Sequence, residues 1–374
     1  MQIASHLRNV TLRKLTLRNL TSILVILLFS TPAWAAPNDT NIGQFDHSLL
    51  KQKQAFIQVE KNRFVTDADK TFVFRGVSTA DPDKLEKEGQ WNKNLFKVIH
   101  DWGANTIRLP IHPRAWRGRG QSEYIKLLDE AVVWANALDM YLILDWHSIG
   151  YLETGKYQHE MYYTDKQETF RFWHDIAYRY QNVPTTAVYE LFNEPTTLEE
   201  PWGKEEWLRW KALNEQMIDI VYAMDKSVIP LVAGFNWAYD LSFVMEAPIG
   251  RKGIAYASHP YPQKAKPEVP STENFHHLWE EVWGHVGKTY PMILTEMGWV
   301  QPDGYGAHVP VKNDGSYGPQ ILEYMETRGL SWTAWVFDPR WSPTMINNWD
   351  FEPSEQGVFW RKSMLEIRNK ESKH

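Results

Sequence analysis

The stretch Val188–Pro195 reads VYELFNEP, an apolar, strand-like run that ends on a glutamate, Glu194, followed by proline. A second run of the same form, Pro291–Trp299 (PMILTEMGW), carries Glu296. The end of a buried strand holds its side chain rigidly at the rim of a sheet, where the side chain can still contact a ligand. Two carboxylates presented in this way are the minimum equipment for cleaving a glycosidic bond. Either glutamate alone is equally compatible with an ordinary rim carboxylate paired with arginine or lysine.

Both runs belong to a series of eight β-type segments, each separated from the next by a segment of helical length. The eight are Phe72–Ser78, Thr106–His112, Leu142–Ser148, Val188–Glu194, Pro230–Asn236, Ala255–Tyr261, Ile293–Trp299 and Thr333–Pro339. Their first residues lie 25 to 46 positions apart, the length of a strand, a crossover helix and a return. Strands that alternate with helices predict a parallel sheet, and eight units close into a (β/α)₈ TIM barrel of the α/β class. The alternative is an open doubly wound sheet, but no glycine-rich phosphate loop follows the first segment.

The first 35 residues have the form of a signal peptide. A basic segment ending at Arg18 is followed by the apolar run Ile23–Phe29 and by Ala33-Trp34-Ala35, an A-x-A cleavage site. The apolar run is too short to span a bilayer, although the long basic segment leaves an uncleaved anchor as the alternative. We expect cleavage after residue 35, secretion into the periplasm or the medium, and no membrane contact afterwards.

The remaining chain is expected to form one folded unit. Residues 36–55 are polar and without periodicity, which predicts a short mobile linker. The runs Phe56–Val59 and Arg63–Val65 flank a turn and predict a small hairpin. No shift in composition marks a second domain, so residues 56–374 are assigned to a single barrel domain, expected to act as a monomer.

Composition narrows the functional classes. The chain has 19 Trp, 17 Tyr and 16 Phe, a surplus that suits a protein that stacks the flat faces of sugar rings. It has no cysteine, which excludes disulfides, zinc–thiolate sites and thiol nucleophiles. Signal-peptide removal takes away four positive charges and no negative ones, and so lowers the net charge from −6 to −10. A chain this acidic is not expected to bind nucleic acid or anionic membranes.

Polar or aromatic side chains occur near the end of most of the β-type segments. A barrel places its chemistry at the carboxyl ends of its strands, and polar groups are costly to bury without partners. The pattern therefore predicts a polar cleft lined with aromatic rings. The strand ladder is expected to stop at Pro195, which has no amide hydrogen, and that break would let Asn193 and Glu194 both face the cleft. The residues of this ring are Arg108, Asp145, Trp146, His147, Asn193, Glu194, Asn236, Trp237, His259, Tyr261, Glu296 and Trp335.

The ordered set of motifs resembles glycoside hydrolase family 5, the cellulase-like retaining family. The resemblance covers roughly residues 56–365 and rests on Arg108, His147, Asn193-Glu194-Pro195, His259-x-Tyr261, Glu296 before Met297-Gly298, and Trp335. It implies that Glu194 is the acid/base and Glu296 the nucleophile of a double displacement through a glycosyl-enzyme intermediate. Such chemistry needs carboxyl groups about 5–5.5 Å apart. Strands four and seven are not neighbours, so the two groups are expected to face each other across the barrel mouth.

Supporting roles follow from the resemblance and from side-chain chemistry. Arg108 is the natural cation to hold down the pKa of Glu296, and Tyr261 can donate a hydrogen bond to that carboxylate. Asn193 is expected to bond the 2-hydroxyl of the sugar. The other candidates are His147 and His259 as substrate binders and proton-network partners, Trp335 as the floor under the sugar, and Trp237 and Trp299 as weaker stacking residues. For each of them a purely structural role, as a strand tie, a core histidine or a core indole, is the alternative.

Two other classes of barrel protein are disfavoured. Metal-dependent hydrolases typically carry His-x-His on the first strand, which here reads Arg75-Gly76-Val77-Ser78, so neither a metal nor a cofactor is expected. A non-catalytic carbohydrate-binding barrel would keep the aromatic residues and lose a carboxylate, whereas this chain has both glutamates.

The expected substrate is a β-1,4-linked glucan, which would make the protein an endoglucanase. A β-mannanase is the leading alternative, followed by a xyloglucanase or mixed-linkage glucanase. The discriminating contacts are expected in the long loops after strands three and eight, which carry Tyr151–Tyr163 and Trp341–Trp360. Whether these loops leave an open groove or close one end of it is left open by the sequence.

Overall fold

The computed structural model describes residues 42–304, 306–307, 313 and 315–373. The predicted signal peptide, residues 1–35, and the first part of the predicted linker lie outside these residues. Within the described part of the chain, no helix combines the length and the apolar character needed to cross a membrane.

Eight parallel strands form a closed barrel, and they follow one another around it in chain order. Their bounds are Arg75–Thr79, Thr106–Ile111, Tyr141–Trp146, Val188–Glu190, Ile229–Ala233, Ala255–Ala257, Met292–Leu294 and Ser331–Phe337. The eighth strand closes the barrel on the first, with Thr333 opposite Gly76. Every residue of the eight strands is buried. The predicted (β/α)₈ barrel is therefore confirmed.

Gly76 shows how closely the first two strands approach each other. A Cβ built at this position would lie 1.8 Å from the backbone oxygen of Thr106. Real Cβ atoms are not found at such distances, so a larger residue would force the two strands apart. The glycine is thus required by close backbone contact, one of the standard reasons for glycine inside a strand.

Helices fill most of the crossovers on the outside of the barrel. The connection between the fifth and sixth strands, residues 234–254, instead contains no regular helix. It has only the short turn Phe235–Ala238, in which Asn236, Trp237 and Ala238 have φ angles of 56° to 58°. This explains why these two strands begin closer together in sequence than the others. The α-helices are Pro82–Lys87, Lys93–Asp101, Pro113–Arg119, Gln121–Ala137, Lys166–Arg179, Lys204–Met224, Thr272–Val282, Tyr317–Glu326 and Glu355–Glu371, and short 3₁₀ helices span His47–Leu49, Glu160–Tyr162 and Gly284–Lys288.

A small antiparallel sheet lies at the amino-terminal end of the barrel. It contains the predicted hairpin, Ile57–Glu60 and Arg63–Thr66, together with a third strand, Thr71–Phe72. The predicted first barrel segment is corrected here: it divides, because Phe72 pairs with Phe64 of the hairpin and the barrel strand begins at Arg75. Side chains of the hairpin pack against the first residues of several barrel strands, so the hairpin covers this end of the core.

Residues 42–55 pack onto the barrel rather than forming the mobile linker expected for this part of the chain. Ile42 and Phe45 are buried, and the ring of Phe45 contacts that of Tyr180 with centroids 5.9 Å apart. The side-chain oxygen of Asn136 accepts hydrogen bonds from the backbone amides of Lys51 and Gln52. A polar composition did not reveal these contacts, because two apolar residues and several backbone hydrogen bonds suffice to fix the segment.

Candidate active site

The fourth barrel strand ends at Glu190, and the chain then bends before Glu194. Residues Glu194–Pro195 form a second, short parallel pairing with Ile149–Gly150, in which the amide of Glu194 donates to Ser148 at 3.0 Å. The ladder was expected to stop at Pro195; it leaves the barrel near Glu190 and resumes in this small sheet instead. The bend gives Asn193 and Glu194 access to the same cleft.

The seventh strand brings Glu296 to the same rim, and Gly298 determines how closely it approaches the eighth strand. The amide of Trp335 donates to the carbonyl of Met297 at 2.9 Å. A Cβ on Gly298 would lie 2.7 Å from the backbone oxygen of Trp335 and 2.7 Å from Oε1 of Gln356. The glycine in the Glu296-Met297-Gly298 motif therefore allows the carboxylate and the indole to share one edge of the cleft.

Arg108 lies beneath the cleft and contacts four acceptor side chains within 3.0 Å. Its guanidinium nitrogens are 2.6 Å from Glu190, 2.7 Å from Asn193, 2.9 Å from Glu296 and 3.0 Å from Asp145. The side chain is fully buried. Burial by itself lowers the pKa of Arg108, but the surrounding carboxylates outweigh it and raise that pKa. Arg108 is thus both a tie between strands and a neighbour of Glu296.

His259 connects the two glutamates to the floor of the site. Its Nδ1 lies 2.9 Å from Glu194 Oε1 and 3.8 Å from Glu296 Oε2, and its Nε2 lies 2.9 Å from the hydroxyl of Thr295. Glu190 is 3.6 Å from the same Nε2. Burial lowers the pKa of His259, but the carboxylates, Glu296 foremost, raise it to about 9. The ring of His259 is therefore a positively charged imidazolium at neutral pH.

Both oxygens of Glu296 are hydrogen-bonded. Oε1 accepts from Arg108 at 2.9 Å, and Oε2 accepts from the hydroxyl of Tyr261 at 2.9 Å. Burial raises the pKa of Glu296, and this effect exceeds the opposing effects of His259 and Arg108, so the net shift is upward. Arg108 lowers the pKa of Glu296, as expected, but burial raises that pKa by more than Arg108 lowers it.

Glu194, His259 and Glu296 also form the group of side chains best arranged to hold a metal ion within the described residues. One ligand atom from each lies within 4.8 Å of the others. Below a pH of about 9 the ring of His259 is protonated, so a metal ion would have to displace that proton before the nitrogen could bind it. The contact of 2.9 Å between His259 and Glu194 is suited to proton exchange between the two groups.

Asn193 and His147 are oriented by buried partners. Asn193 Oδ1 accepts from Arg108, and its Nδ2 is buried without a hydrogen-bond partner among the described residues. His147 Nδ1 lies 2.6 Å from Asp145, and its ring is parallel to that of Trp335 with centroids 5.4 Å apart. Burial lowers the pKa of His147 well below its ordinary value. An amide donor and a neutral imidazole are therefore held in place at the cleft.

The cleft has a volume of about 760 Å³. Trp237 lines it, whereas Trp299 packs in the core against Tyr317, Phe359 and Trp360. Trp146 is also a core residue, stacked on Phe172. The predicted residues that line the cleft are His147, Asn193, Glu194, Asn236, Trp237, Tyr261, Glu296 and Trp335, while Arg108 and His259 are fully buried beneath it.

Several site residues were not singled out from the sequence. Glu190 is a charged residue within a run of buried apolar residues, a signal that it needs a partner, and it binds both Arg108 and Thr295. Lys264 lines the cleft from a loop whose conformation no local pattern reveals. Tyr162, which also lines the cleft, lies in the loop after the third strand, where discriminating contacts were expected.

The chain is similar to known proteins over most of its length. The chain matches the family model described as "Cellulase (glycosyl hydrolase family 5)" over residues 65–340. A β-glucanase from Saccharophagus degradans, solved in its native form and with cellotetraose, is 61% identical, with 88% of this chain and 98% of that chain covered and a TM-score of 0.86.

Curated relatives are more distant. A cellulase from Thermoanaerobacterium sp is 26% identical over 65% of this chain and 60% of its own length. Endoglucanase N from Pectobacterium atrosepticum is 24% identical over 88% of this chain and 64% of its own length. The chain thus spans less than two thirds of these relatives. The family model nevertheless covers most of the chain, which belongs to glycosyl hydrolase family 5.

Proposed function

We propose that this protein is a retaining glycoside hydrolase that cleaves β-1,4-linked glucan chains, with Glu194 as acid/base and Glu296 as nucleophile. The observation that carries the proposal is the approach of the two carboxylates, with one oxygen of each within 4.8 Å of the other. Retaining enzymes have carboxyl groups about 5–5.5 Å apart, whereas inverting enzymes leave about 6.5–9.5 Å for a water molecule.

In the first step, Glu296 attacks the anomeric carbon while Glu194 gives its proton to the glycosidic oxygen. The bond from the anomeric carbon to that oxygen breaks, and the glycosyl group becomes an ester of Glu296. Arg108 and Tyr261 hold the two oxygens of Glu296 in place, which lowers the entropic cost of reaching the reactive geometry. The negative charge that develops on Glu194 lies 2.9 Å from Nδ1 of His259, whose N–H stabilises it.

In the second step, Glu194 takes a proton from water, and the resulting hydroxide displaces Glu296 from the anomeric carbon. Two inversions leave the original configuration. Asn193 lines the cleft, and its side-chain N–H has no partner among the described residues, so we assign it as the donor to the 2-hydroxyl of the sugar, an interaction that strengthens in the transition state. Trp335 supplies a flat apolar face beside the carboxylates on which the sugar ring can stack.

A glucan is the favoured substrate because the most similar protein described above is named a β-glucanase and was solved with cellotetraose. The curated relatives are named cellulase and endoglucanase. A β-mannanase, a xyloglucanase and a mixed-linkage glucanase use the same catalytic pair, so the substrate must be measured.

We further propose that residues 1–35 direct export of the chain and are then removed, which sequencing the amino terminus of the mature protein would test.

The experiment counts new reducing ends on carboxymethylcellulose, mixed-linkage β-glucan, xyloglucan, galactomannan and laminarin. The proteins are the wild type, Glu296→Gln, and Glu205→Gln, a control whose side chain is 82% exposed. Activity on the β-1,4-glucans that disappears in Glu296→Gln alone is the expected result. Preference for galactomannan would move the substrate to mannan. Unchanged activity of Glu296→Gln would remove Glu296 from the role of nucleophile.

A further inference from the structure

The two carboxylates divide the mouth of the barrel into two halves. Glu194 follows the fourth strand and Glu296 the seventh, so the fifth and sixth strands lie between them on one side. On the other side lie the eighth, first, second and third strands, which carry Trp335 and His147. The proposed function puts the attacked sugar on Trp335, and this leaves the half after the fifth and sixth strands for the leaving group.

Lys264 lies in this second half and has unused donors. It lines the cleft, is partly buried, and donates one hydrogen bond, from Nζ to the backbone oxygen of Asn236 at 3.1 Å. No salt bridge to a carboxylate involves it within the described part of the chain. An ammonium group has three donors, so two remain for a ligand in the cleft. Burial lowers the pKa of Lys264, against the opposing effects of Glu194 and Glu296.

Trp237 lies beside this ammonium and is held in place from two directions. Its backbone is part of the turn with positive φ, a conformation that is unfavourable for a residue other than glycine. Its Nε1 donates to Oε1 of Gln158, on the loop after the third strand, at 2.8 Å. Lys264 Nζ lies 5.3 Å from the centroid of the Trp237 ring. The strained turn and the hydrogen bond thus fix an indole next to a cation.

An apolar ring beside free N–H donors matches the chemistry of a sugar, which has apolar C–H faces and a rim of hydroxyl oxygens. A carboxylate ligand would also accept from Lys264, but the cleft is lined by Glu194 and Glu296 as well as by Lys264 and Lys266, so it has no excess of positive charge that would select an anion. A neutral sugar suits the same donors.

We propose that Lys264 is a specificity-determining residue that binds the leaving-group sugar through its hydroxyl oxygens, with Trp237 as the adjacent apolar surface. This inference rests on the proposed function, because it takes Glu194 as the group that protonates the leaving oxygen. It goes beyond that function by assigning the leaving-group subsite to two residues of this chain and by specifying a neutral sugar as its occupant.

The test compares a sugar leaving group with one that cannot accept the same hydrogen bonds. The substrates are cellotetraose and 4-nitrophenyl β-cellobioside, and kcat/KM is measured for each. Lys264→Met keeps the length of the side chain and removes the donors, Lys264→Arg keeps donors, and Lys226→Met is the control at an exposed lysine.

Lys264→Met should lower kcat/KM for cellotetraose by about tenfold to a hundredfold, the range for losing a charged hydrogen bond. The value for the aryl cellobioside should stay within about twofold of wild type. Lys264→Arg should recover a large part of the loss. In a second readout, cellobiose added to the glycosyl-enzyme formed from a 2-deoxy-2-fluoro glycoside should reactivate Lys264→Met more slowly than wild type, at an unchanged rate with water.

Equal losses on both substrates, or no loss on either, would overturn the assignment of Lys264. Activity on the aryl cellobioside also shows that the variant is folded. A loss on cellotetraose alone would therefore mean that Lys264 binds the leaving-group sugar. Glu296→Gln separates the two proposals, since it should abolish activity on both substrates. If it does not, the proposed function fails whatever Lys264 does.

Discussion

Glu190 and Arg108 form a fully buried ion pair, with 2.6 Å between Oε2 of the glutamate and Nε of the arginine. Glu190 ends the fourth strand, and its other oxygen accepts from the hydroxyl of Thr295 at 2.7 Å. Thr295 in turn bonds His259 and precedes Glu296 in the chain. Glu190 does not line the cleft, but it contacts Arg108, which binds Glu296, and Thr295, which binds His259. His259 in turn contacts Glu194, so Glu190 is connected to both proposed catalytic glutamates.

Removal of this charge is expected to weaken both fold and activity. Glu190→Gln should lower the free energy of unfolding by about 3–5 kcal/mol, the range for breaking a buried ion pair. It should lower kcat by about tenfold to a hundredfold, because Arg108 loses the partner that fixes its orientation toward Glu296. Denaturant unfolding and steady-state kinetics measure the two effects. The exposed control Glu205→Gln should change stability by less than about 0.5 kcal/mol. A loss of stability below about 1 kcal/mol in Glu190→Gln would show that Arg108 does not depend on this pair.

The raised pKa of His259 predicts a loss of stability at alkaline pH. The pKa in the folded protein is about 9, above the ordinary value of 6.5, so folding favours the protonated ring. This stabilisation is fully present below pH 6.5 and is lost as the pH rises through about 9. The free energy of unfolding should fall by on the order of 3 kcal/mol across this window.

The matched variants for this pH dependence are His259→Gln and His277→Gln, the second at an exposed histidine paired with Glu281. The slope of stability against pH between 6.5 and 9 should flatten in His259→Gln and persist in His277→Gln. Equal slopes in all three proteins would assign the alkaline transition to another group.

Asn193 should act through the 2-hydroxyl of the sugar. Its Nδ2 is buried without a partner among the described residues, while its oxygen is held by Arg108. Asn193→Ala should lower kcat/KM for an aryl cellobioside by about a hundredfold, the scale of a hydrogen bond strengthened in the transition state. With the matching 2-deoxy substrate, wild type and variant should differ little, because the hydroxyl is already absent. A full loss that persists on the 2-deoxy substrate would mean that Asn193 acts by supporting Arg108.

Gly298 should be intolerant of even one methyl group. Gly298→Ala places a Cβ 2.7 Å from the backbone oxygen of Trp335, so Trp335 or Glu296 must move. We expect a loss of stability of about 1–3 kcal/mol, as for other overpacked sites, and a fall in activity. The control is Gly118→Ala in the helix Pro113–Arg119, where a Cβ meets no atom within 4 Å. That change should be neutral or stabilising, and equal behaviour of the two variants would contradict the packing argument.

The barrel and most of its strand-end residues could be predicted because their signals are local. A buried strand, a helical segment and a polar residue at the strand end recur through the chain, and parallel strands bring all their carboxyl ends to one rim. Position along each strand was therefore enough to bring Glu194 and Glu296 to the same cleft.

Other features depend on contacts far away in sequence. The run from Phe72 to Ser78 is continuous in the sequence, yet Phe72 pairs with Phe64 and Arg75 begins the barrel. Trp299 and Trp335 both lie near the end of a barrel strand, but Trp299 is covered by residues of the last two helices. Neither the division of the first segment nor the burial of Trp299 could be predicted from the local sequence pattern. Glu190 did leave a local signal, a charge in a buried strand, but its partner on a different strand was not identifiable without the fold.

Identification of the residue that bonds to the sugar tests the central claim most directly. The protein is incubated with an activated 2-deoxy-2-fluoro cellobioside, digested, and mapped by mass spectrometry. We predict one glycosyl adduct on the peptide that contains Glu296, located to that side chain by fragmentation, and no adduct in Glu296→Gln. An adduct on any other residue, or hydrolysis with inversion of the anomeric configuration observed by NMR, would contradict the account.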